Sequence, residues 1–252
     1  MDFKNYLDKT VKKLDREVEK ILNKELKEVK RIDQRLIPLL EAFAASCKGG
    51  KRIRGVLVKL GYDLGKGKSE EILKIAAAYE IFHTAVLAHD DIMDQSETRR
   101  GRASLYKRVG LSEAITLGDL GFFLAMKIIS NSFFAHIAFD TAVGQLLDLK
   151  KADSIMTAKF KTARYTISGP LQLGAILGGS NEKLVKLLGE FGEKLGIAYQ
   201  IKDDYLDGES NRLKEAKRYM HSAKKMIPEL TKDIQLSKLL EQMGGYLIDR
   251  KT

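Results

Sequence analysis

Two short acidic clusters are the residues best suited to chemistry. They are Asp90-Asp91-Ile92-Met93-Asp94 and Asp203-Asp204-Tyr205-Leu206-Asp207, with identical internal spacing. On a helix, positions i and i+4 share a face, so Asp90 and Asp94 can aim into one space. Each cluster follows an apolar stretch, where unpaired carboxylates would repel one another and lose solvation. A divalent cation removes that conflict. Mg²⁺ takes hard oxygen ligands, usually one or two carboxylates together with substrate phosphate. Two such helices facing each other would surround one cavity with carboxylates able to hold several ions on a diphosphate, polarising its oxygens. A lone acidic triplet would read as a solvated helix end. The recurrence and the apolar approach to each cluster favour the metal reading.

Basic residues gather near the first cluster. Gly49-Gly50-Lys51-Arg52-Ile53-Arg54 places glycines before Lys51 and Arg54 at a helix start, a pattern suited to a phosphate. Arg99-Arg100-Gly101-Arg102 follows Asp94 closely, and its arginines could either neutralise the aspartates or clamp a diphosphate. His83 lies about two helical turns before Asp90. A single histidine on an apolar helix is more often a core residue. His89, beside Asp90, could orient it by a hydrogen bond. Neither histidine has a partner set suited to zinc. Lys161, Thr162 and Gln200 are polar positions in otherwise apolar segments.

The elements that must carry these residues read as helices. Phe3, Leu7, Val11, Leu14, Val18, Ile21, Leu22 and Val29 recur at helical spacing with a Lys/Glu outer face. Helices are expected over 1–30, 32–47, 51–61, 70–95, 111–130, 133–151, 154–178, 182–207, 211–226 and 229–250. Gly49-Gly50 is a stop signal, and Ser69 is the expected N-cap of the 70–95 helix. That helix is apolar nearly all round, as central helices of bundles are. Strand alternation is nearly absent, and Asp207-Gly208 is the one hairpin-type pair. The fold class is therefore all-α, a single domain of ten or so helices. No composition break divides residues 1–252.

The chain has 252 residues, 44% of them hydrophobic and 31% charged, with a formal net charge of +10. That excess suits anionic partners such as phosphates. Cys47 is the single cysteine, so no intrachain disulfide forms, in keeping with a cytoplasmic protein. It reads as a small buried residue. No stretch is long and apolar enough to span a membrane, and the first residues hold no signal-peptide core.

Together these motifs resemble the trans-isoprenyl diphosphate synthases. The front half is matched by Gly49 to Arg54, His83, His89 to Asp94 and Arg99-Arg100-Gly101. The back half is matched in order by Gly118-Asp119, Gly144-Gln145-Leu146-Leu147-Asp148-Leu149, Lys161-Thr162 and Gln200-Ile201-Lys202-Asp203-Asp204-Tyr205-Leu206-Asp207. The resemblance covers about residues 30–207. It implies an isoprenoid-synthase bundle, usually a homodimer, that condenses isopentenyl diphosphate with an allylic diphosphate. It implies about three Mg²⁺ ions held by Asp90, Asp91, Asp94, Asp203, Asp204 and Asp207. It further implies that Arg99, Lys161 and Gln200, with Thr162 and Lys202 beside them, contact the allylic diphosphate. Lys51, Arg54, His83 and Arg100 would bind the diphosphate of isopentenyl diphosphate.

Product length can be argued from the helix before Asp90. Ala85 and Val86 lie about one and a half turns back and are small, and Phe82 is the next bulky residue. The growing chain is expected to stop near Phe82, at roughly twenty to twenty-five carbons. The family pattern has a longer stretch before Gly144 and a loop rich in Gly and Lys after the second cluster. Here the junctions near Gly110-Leu111, Ser130-Phe134 and Gly208-Asn211 are abrupt, as though loop segments were missing. A class I terpene cyclase would have a different second cluster and no isopentenyl site. A non-catalytic subunit of a heteromeric synthase tends to lose aspartates. A nucleic-acid-binding helical protein leaves the inward aspartates unexplained.

Overall fold

The computed structural model describes residues 2–152, 154–206 and 212–248. The helical stripe of Phe3, Leu7, Leu14, Val18, Ile21 and Leu22 winds into α1 (Phe3–Ile32) and is buried along its length. A 3₁₀ turn (Gln34–Leu36) follows, capped by Asp33, whose carboxylate accepts the Arg35 N–H at 2.8 Å. Pro38 then occupies the first turn of α2 (Ile37–Ser46), where a missing N–H costs nothing. Gly49 and Gly50, at φ +77° and +89°, carry the chain away from that helix. Next come α3 (Ile53–Leu64) and α4 (Ile72–Met93). Ser69 is not the N-cap of α4: its hydroxyl accepts the Glu71 N–H at 3.2 Å within a turn, and the helix begins only at Ile72.

After α4 the chain makes an antiparallel hairpin of β1 (Thr98–Arg99) and β2 (Arg102–Ala103), with Arg99 opposite Arg102. Its two turn residues, Arg100 and Gly101, both have positive φ, +54° and +72°. That is the pattern whose twist matches paired strands. An Arg-Gly turn lies outside the usual Asn-Gly or Asp-Gly hairpin signal, so the local sequence does not mark it.

The helices α5 (Leu105–Val109) and α6 (Leu111–Ile129) share Gly110, at φ +100°, as the end of one and the start of the other. The Gly110 N–H bonds back to Tyr106 O and its carbonyl accepts from the Ala114 N–H. Ser130, at φ +40°, and the N-cap Asn131 join α6 to α7 (Ser132–Leu149). The junctions at Gly110 and Ser130 are tight turns, closed by Gly110 N–H to Tyr106 O and by Ser130 N–H to Met126 O. The junction at 208–211 lies outside the described residues.

The single helix expected over 154–178 is three pieces. They are α8 (Ser154–Thr157), a π-helix (Ala158–Ser168) and α9 (Gly169–Leu177). Three more helices complete the described chain: α10 (Glu182–Leu206), α11 (Leu213–Leu230) and α12 (Ile234–Ile248). Pro228 sits inside the last turn of α11, where it removes one backbone donor.

Contacts group the chain into two units. One comprises the described residues of Met1–Lys9, Val56–Ile72 and Asn131–Thr252, and the other Thr10–Gly55 and Leu73–Ser130. The core of the first is organised by close helix crossings. Along α10, Gly189, Gly192 and Gly196 form a stripe against which Gln172, Ser168 and Ala163 lie. The core of the second centres on α4, whose Ala76, Ala77, Ala78, Tyr79, Ile81 and Ala85 are fully buried. Among the described residues, no helix is long and apolar enough to cross a membrane.

Candidate functional site

In the second unit, α4 brings Asp90, Asp91 and Asp94 to its C-terminal end. Asp91 is buried, Asp90 half-buried and Asp94 exposed. The Asp94 N–H still bonds to Asp90 O at 2.8 Å, so helical spacing holds through the cluster. The hairpin returns Arg99 onto Asp91, with Nε donating to Oδ1 at 2.8 Å and Nη2 donating to the same oxygen. Of the two roles left open for Arg99, neutralising an aspartate is the one it plays here. Hard oxygen donors at this spacing fit Mg²⁺ in type. Among the described residues, no three His, Cys, Asp or Glu groups already converge as a ligand set.

His89 does not orient Asp90. Its ring lies on α6, where a Cβ at Gly118 would come within 2.2 Å of it. Its Nε2 is 3.3 Å from Ile115 O and 3.5 Å from Asp119 Oδ1. The Gly118-Asp119 pair thus has a packing role, as the seat of this imidazole.

The basic group assembles on the segment before α3. Lys51 is exposed and Arg54 half-buried. The Arg100 guanidinium lies against Gly50, where a Cβ would come within 2.9 Å of it, and Nη1 donates to Gly49 O at 3.4 Å. Gly50 is therefore glycine for two reasons, its positive φ and this contact. Arg54 Nη1 is 3.2 Å from His83 Nε2. A guanidinium can only donate, so Nε2 accepts and the ring proton sits on Nδ1. Burial first, and then Arg54, Arg100, Arg52 and Arg99, hold the His83 pKa well below the ordinary imidazole range.

That depressed value makes stability depend on pH. Unfolded His83 takes up a proton near pH 6.5 and folded His83 does not. The contribution is present above that pH and is lost as pH falls below it. The melting temperature is expected to fall below about pH 6.5 more steeply in the native protein than in His83→Gln. Parallel Tm–pH curves for the two proteins would refute the assignment.

Cys47 is the buried residue the sequence suggested, its thiol pushed up to about 11 by burial. On α4, Phe82 is buried between Tyr79 and Phe122, with ring centroids 6.0 and 5.4 Å away. Ala85 packs where Gly121 of α6 comes close, a Cβ there lying 2.9 Å from its methyl. Its small size is thus explained by helix packing. Val86 is half-buried.

In the first unit, the π-helix carries Lys161 and Thr162. The Gly144 backbone lies directly beneath Lys161, and a Cβ would reach its N at 2.4 Å. Asp148, one turn further along α7, accepts from Lys161 Nζ at 2.5 Å. The Gly144 to Asp148 motif is therefore the platform for Lys161. Across from it, the close approach of Gly196 to Ala163 lets Thr162 Oγ1 meet Gln200 Oε1 on α10 at 2.7 Å. Arg164 pins the π-helix, with Nη1 donating to Asp140 at 2.7 Å, Nε to Glu193 at 3.2 Å, and the guanidinium 4.3 Å over Phe160. Lys202 and Asp203 are half-buried on α10. Asp207 and the Asp204 side chain lie outside the described residues.

This predominantly helical fold is shared with solved isoprenoid synthases. A geranylgeranyl pyrophosphate synthase from Corynebacterium glutamicum, described as complexed with isoprenyl diphosphate and magnesium, superposes with a TM-score of 0.88. It covers 97% of this chain and 99% of that one at 20% identity. A geranyltranstransferase from Thermotoga maritima gives a TM-score of 0.75 at 28% identity, over 92% of this chain and 97% of that one. The geranylgeranyl diphosphate synthase of Sulfolobus acidocaldarius is 33% identical over 181 residues, 63% of this chain and 54% of that protein. The match thus spans little more than half of that relative's length. The polyprenyl synthetase family model matches residues 38–225, and the chain belongs to that family.

Proposed function

We propose that the protein joins isopentenyl diphosphate to an allylic diphosphate, giving a longer all-trans prenyl diphosphate and releasing diphosphate. The observation that carries this reading is a polyprenyl synthetase chain that keeps both acidic clusters and two separate basic groups. Relatives named as geranylgeranyl and geranylfarnesyl diphosphate synthases support a product of roughly twenty to twenty-five carbons. The chain then acts as one isoprenoid-synthase domain, a transferase of the cytoplasm.

In this reading Arg99, Lys161, Thr162, Gln200 and Lys202 hold the allylic diphosphate. Lys51, Arg54, His83 and Arg100 hold the isopentenyl one. The allylic C–O bond breaks and its electron pair leaves with the diphosphate. The isopentenyl double bond attacks the resulting allylic cation, and a proton is then lost to the released diphosphate. Mg²⁺ bound to Asp90, Asp91, Asp94, Asp203, Asp204 and Asp207, about three ions in all, would supply neutralisation of the departing charge. The residues also fix orientation: two anions held apart bring the reacting carbons together. Apolar residues before Asp90 shelter the chain, with Phe82 as its floor and Val86 along its path.

A second copy of the chain completes the proposed enzyme. In support, α6 exposes Leu111, Ile115, Phe123 and Met126, an apolar row that a homodimer would cover.

The test incubates the purified protein with Mg²⁺, isopentenyl diphosphate and allylic primers of several lengths. A longer linear prenyl diphosphate is expected. A cyclised hydrocarbon, or no product with any primer, would overturn the reading. Phe82→Ala is expected to lengthen the product by at least one five-carbon unit, since it opens an aromatic-sized space. An unchanged product length would remove Phe82 as the floor.

A further inference from the structure

The segment from Gly49 to Gly55 has an improbable backbone. Three of its first four residues, Gly49, Gly50 and Arg52, have positive φ. For Arg52, at φ +51°, that conformation is disfavoured and needs outside support. Arg52 is also 4% exposed, in a segment whose neighbouring Lys51 points into solvent. A buried arginine in a strained backbone has to be held by specific partners.

Those partners are visible. Arg52 Nε donates to Asp15 Oδ1 of α1 at 2.8 Å, and Nη2 donates to Cys47 O at 2.5 Å. Its Nη1 stands 4.0 Å from Glu80 Oε2 of α4, and Glu80 itself is 2% exposed. The other Glu80 oxygen accepts the Gly55 N–H at 2.7 Å, at the first turn of α3. Gly55 has no room for a side chain there, since a Cβ would come within 2.9 Å of Ala76 O and 3.1 Å of Glu80 Cγ. One turn on along α4, His83 receives Arg54. So α4 grips the segment at Arg52, Arg54 and Gly55, and the residues left outward are Lys51 and the glycine backbone on which Arg100 rests.

Glu80 and Arg52 have no place among the residues that meet substrate. Four cationic side chains (Lys51, Arg52, Arg54 and Arg100) crowd this segment, and Asp15 and Glu80 are the carboxylates that Arg52 meets. The excess positive charge is what an incoming anion would answer. A buried pair of this kind adds little net stability, and its use lies in specifying one geometry.

We propose that Glu80 and Arg52 are positioning residues that shape the anion cradle of Lys51, Arg54, His83 and Arg100 without touching the anion. The proposal rests on the functional reading that this cradle takes the isopentenyl diphosphate group.

The test measures inorganic diphosphate binding to the full chain in EDTA by calorimetry, so that only metal-independent sites report. It also measures KM for each substrate with Mg²⁺. Glu80→Gln, which preserves shape, is expected to weaken diphosphate binding and raise KM for isopentenyl diphosphate by about tenfold. KM for the allylic substrate should stay within about twofold. The double variant Arg52→Met/Glu80→Leu removes both charges, so its melting temperature should recover relative to Arg52→Met alone while the weak binding persists. Lys51→Ala is the control for the cradle itself. If Lys51→Ala leaves diphosphate binding unchanged, the functional reading of the cradle fails and this proposal fails with it. If Lys51→Ala weakens binding but Glu80→Gln does not, the positioning role alone is wrong. Equal changes in both KM values, tracking the loss of Tm, would make the pair merely structural.

Discussion

Asp91→Asn is expected to lower kcat for condensation by roughly 10³-fold while leaving the protein folded. Asp91 is the most buried member of its cluster, at 3% exposure, and Arg99 covers it. Asparagine keeps the shape but removes the charge that Arg99 meets and that, in the proposed reading, a cation would need. The fold should survive because the Arg99 side chain is 40% exposed. Water then compensates much of the lost pair, and the stability cost is about 1 kcal/mol. Steady-state kinetics beside a thermal melt separates the two effects. A variant that keeps activity within about threefold would show that this cluster is not where charge is neutralised.

The second large effect is on stability. Gly174→Ala is expected to cost about 3 kcal/mol, lowering Tm by roughly 6–12 °C. The helices α3 and α9 cross with their backbones in contact. A Cβ on Gly174 would lie 2.0 Å from Val58 O, and one on Gly61 would lie 2.0 Å from Leu171 O. Both obstacles are main chain, so no rotamer change relieves them and the helices must separate. Gly244→Ala is the contrast, because the nearest atom to its added methyl is Leu195 Cδ2 at 3.6 Å. In the middle of α12 that change is expected to be neutral or to stabilise by up to about 1 kcal/mol. Equal melting temperatures for the two variants would refute the crossing as the cause.

Much of the helical content is legible in the sequence. The stripe from Phe3 to Leu22, the paired glycines after α2 and the apolar run of α4 are local signals, set by 3.6-residue periodicity and by backbone preference. The π-helix at Ala158–Ser168 has no such signal. Its turns are held by Arg164, which draws on Asp140 of α7 and Glu193 of α10, and by glycines that bring those helices close. The hairpin at Thr98–Ala103 was likewise hidden, because its turn uses Arg100 in a conformation that few non-glycine residues adopt.

Residue types and spacing alone determined which groups could do chemistry: the carboxylates at Asp90, Asp91 and Asp94, the matching set from Asp203, and the basic run from Lys51. Acidity, charge and helical spacing belong to the residues themselves and to their near neighbours. The tertiary structure decided what each group does while it waits. It gave Asp91 to Arg99, Lys161 to Asp148, Thr162 to Gln200 and His89 to α6. It also placed Glu80, silent in the sequence, behind the basic segment. Those choices depend on which helices touch, and that is settled by packing between residues far apart in the chain.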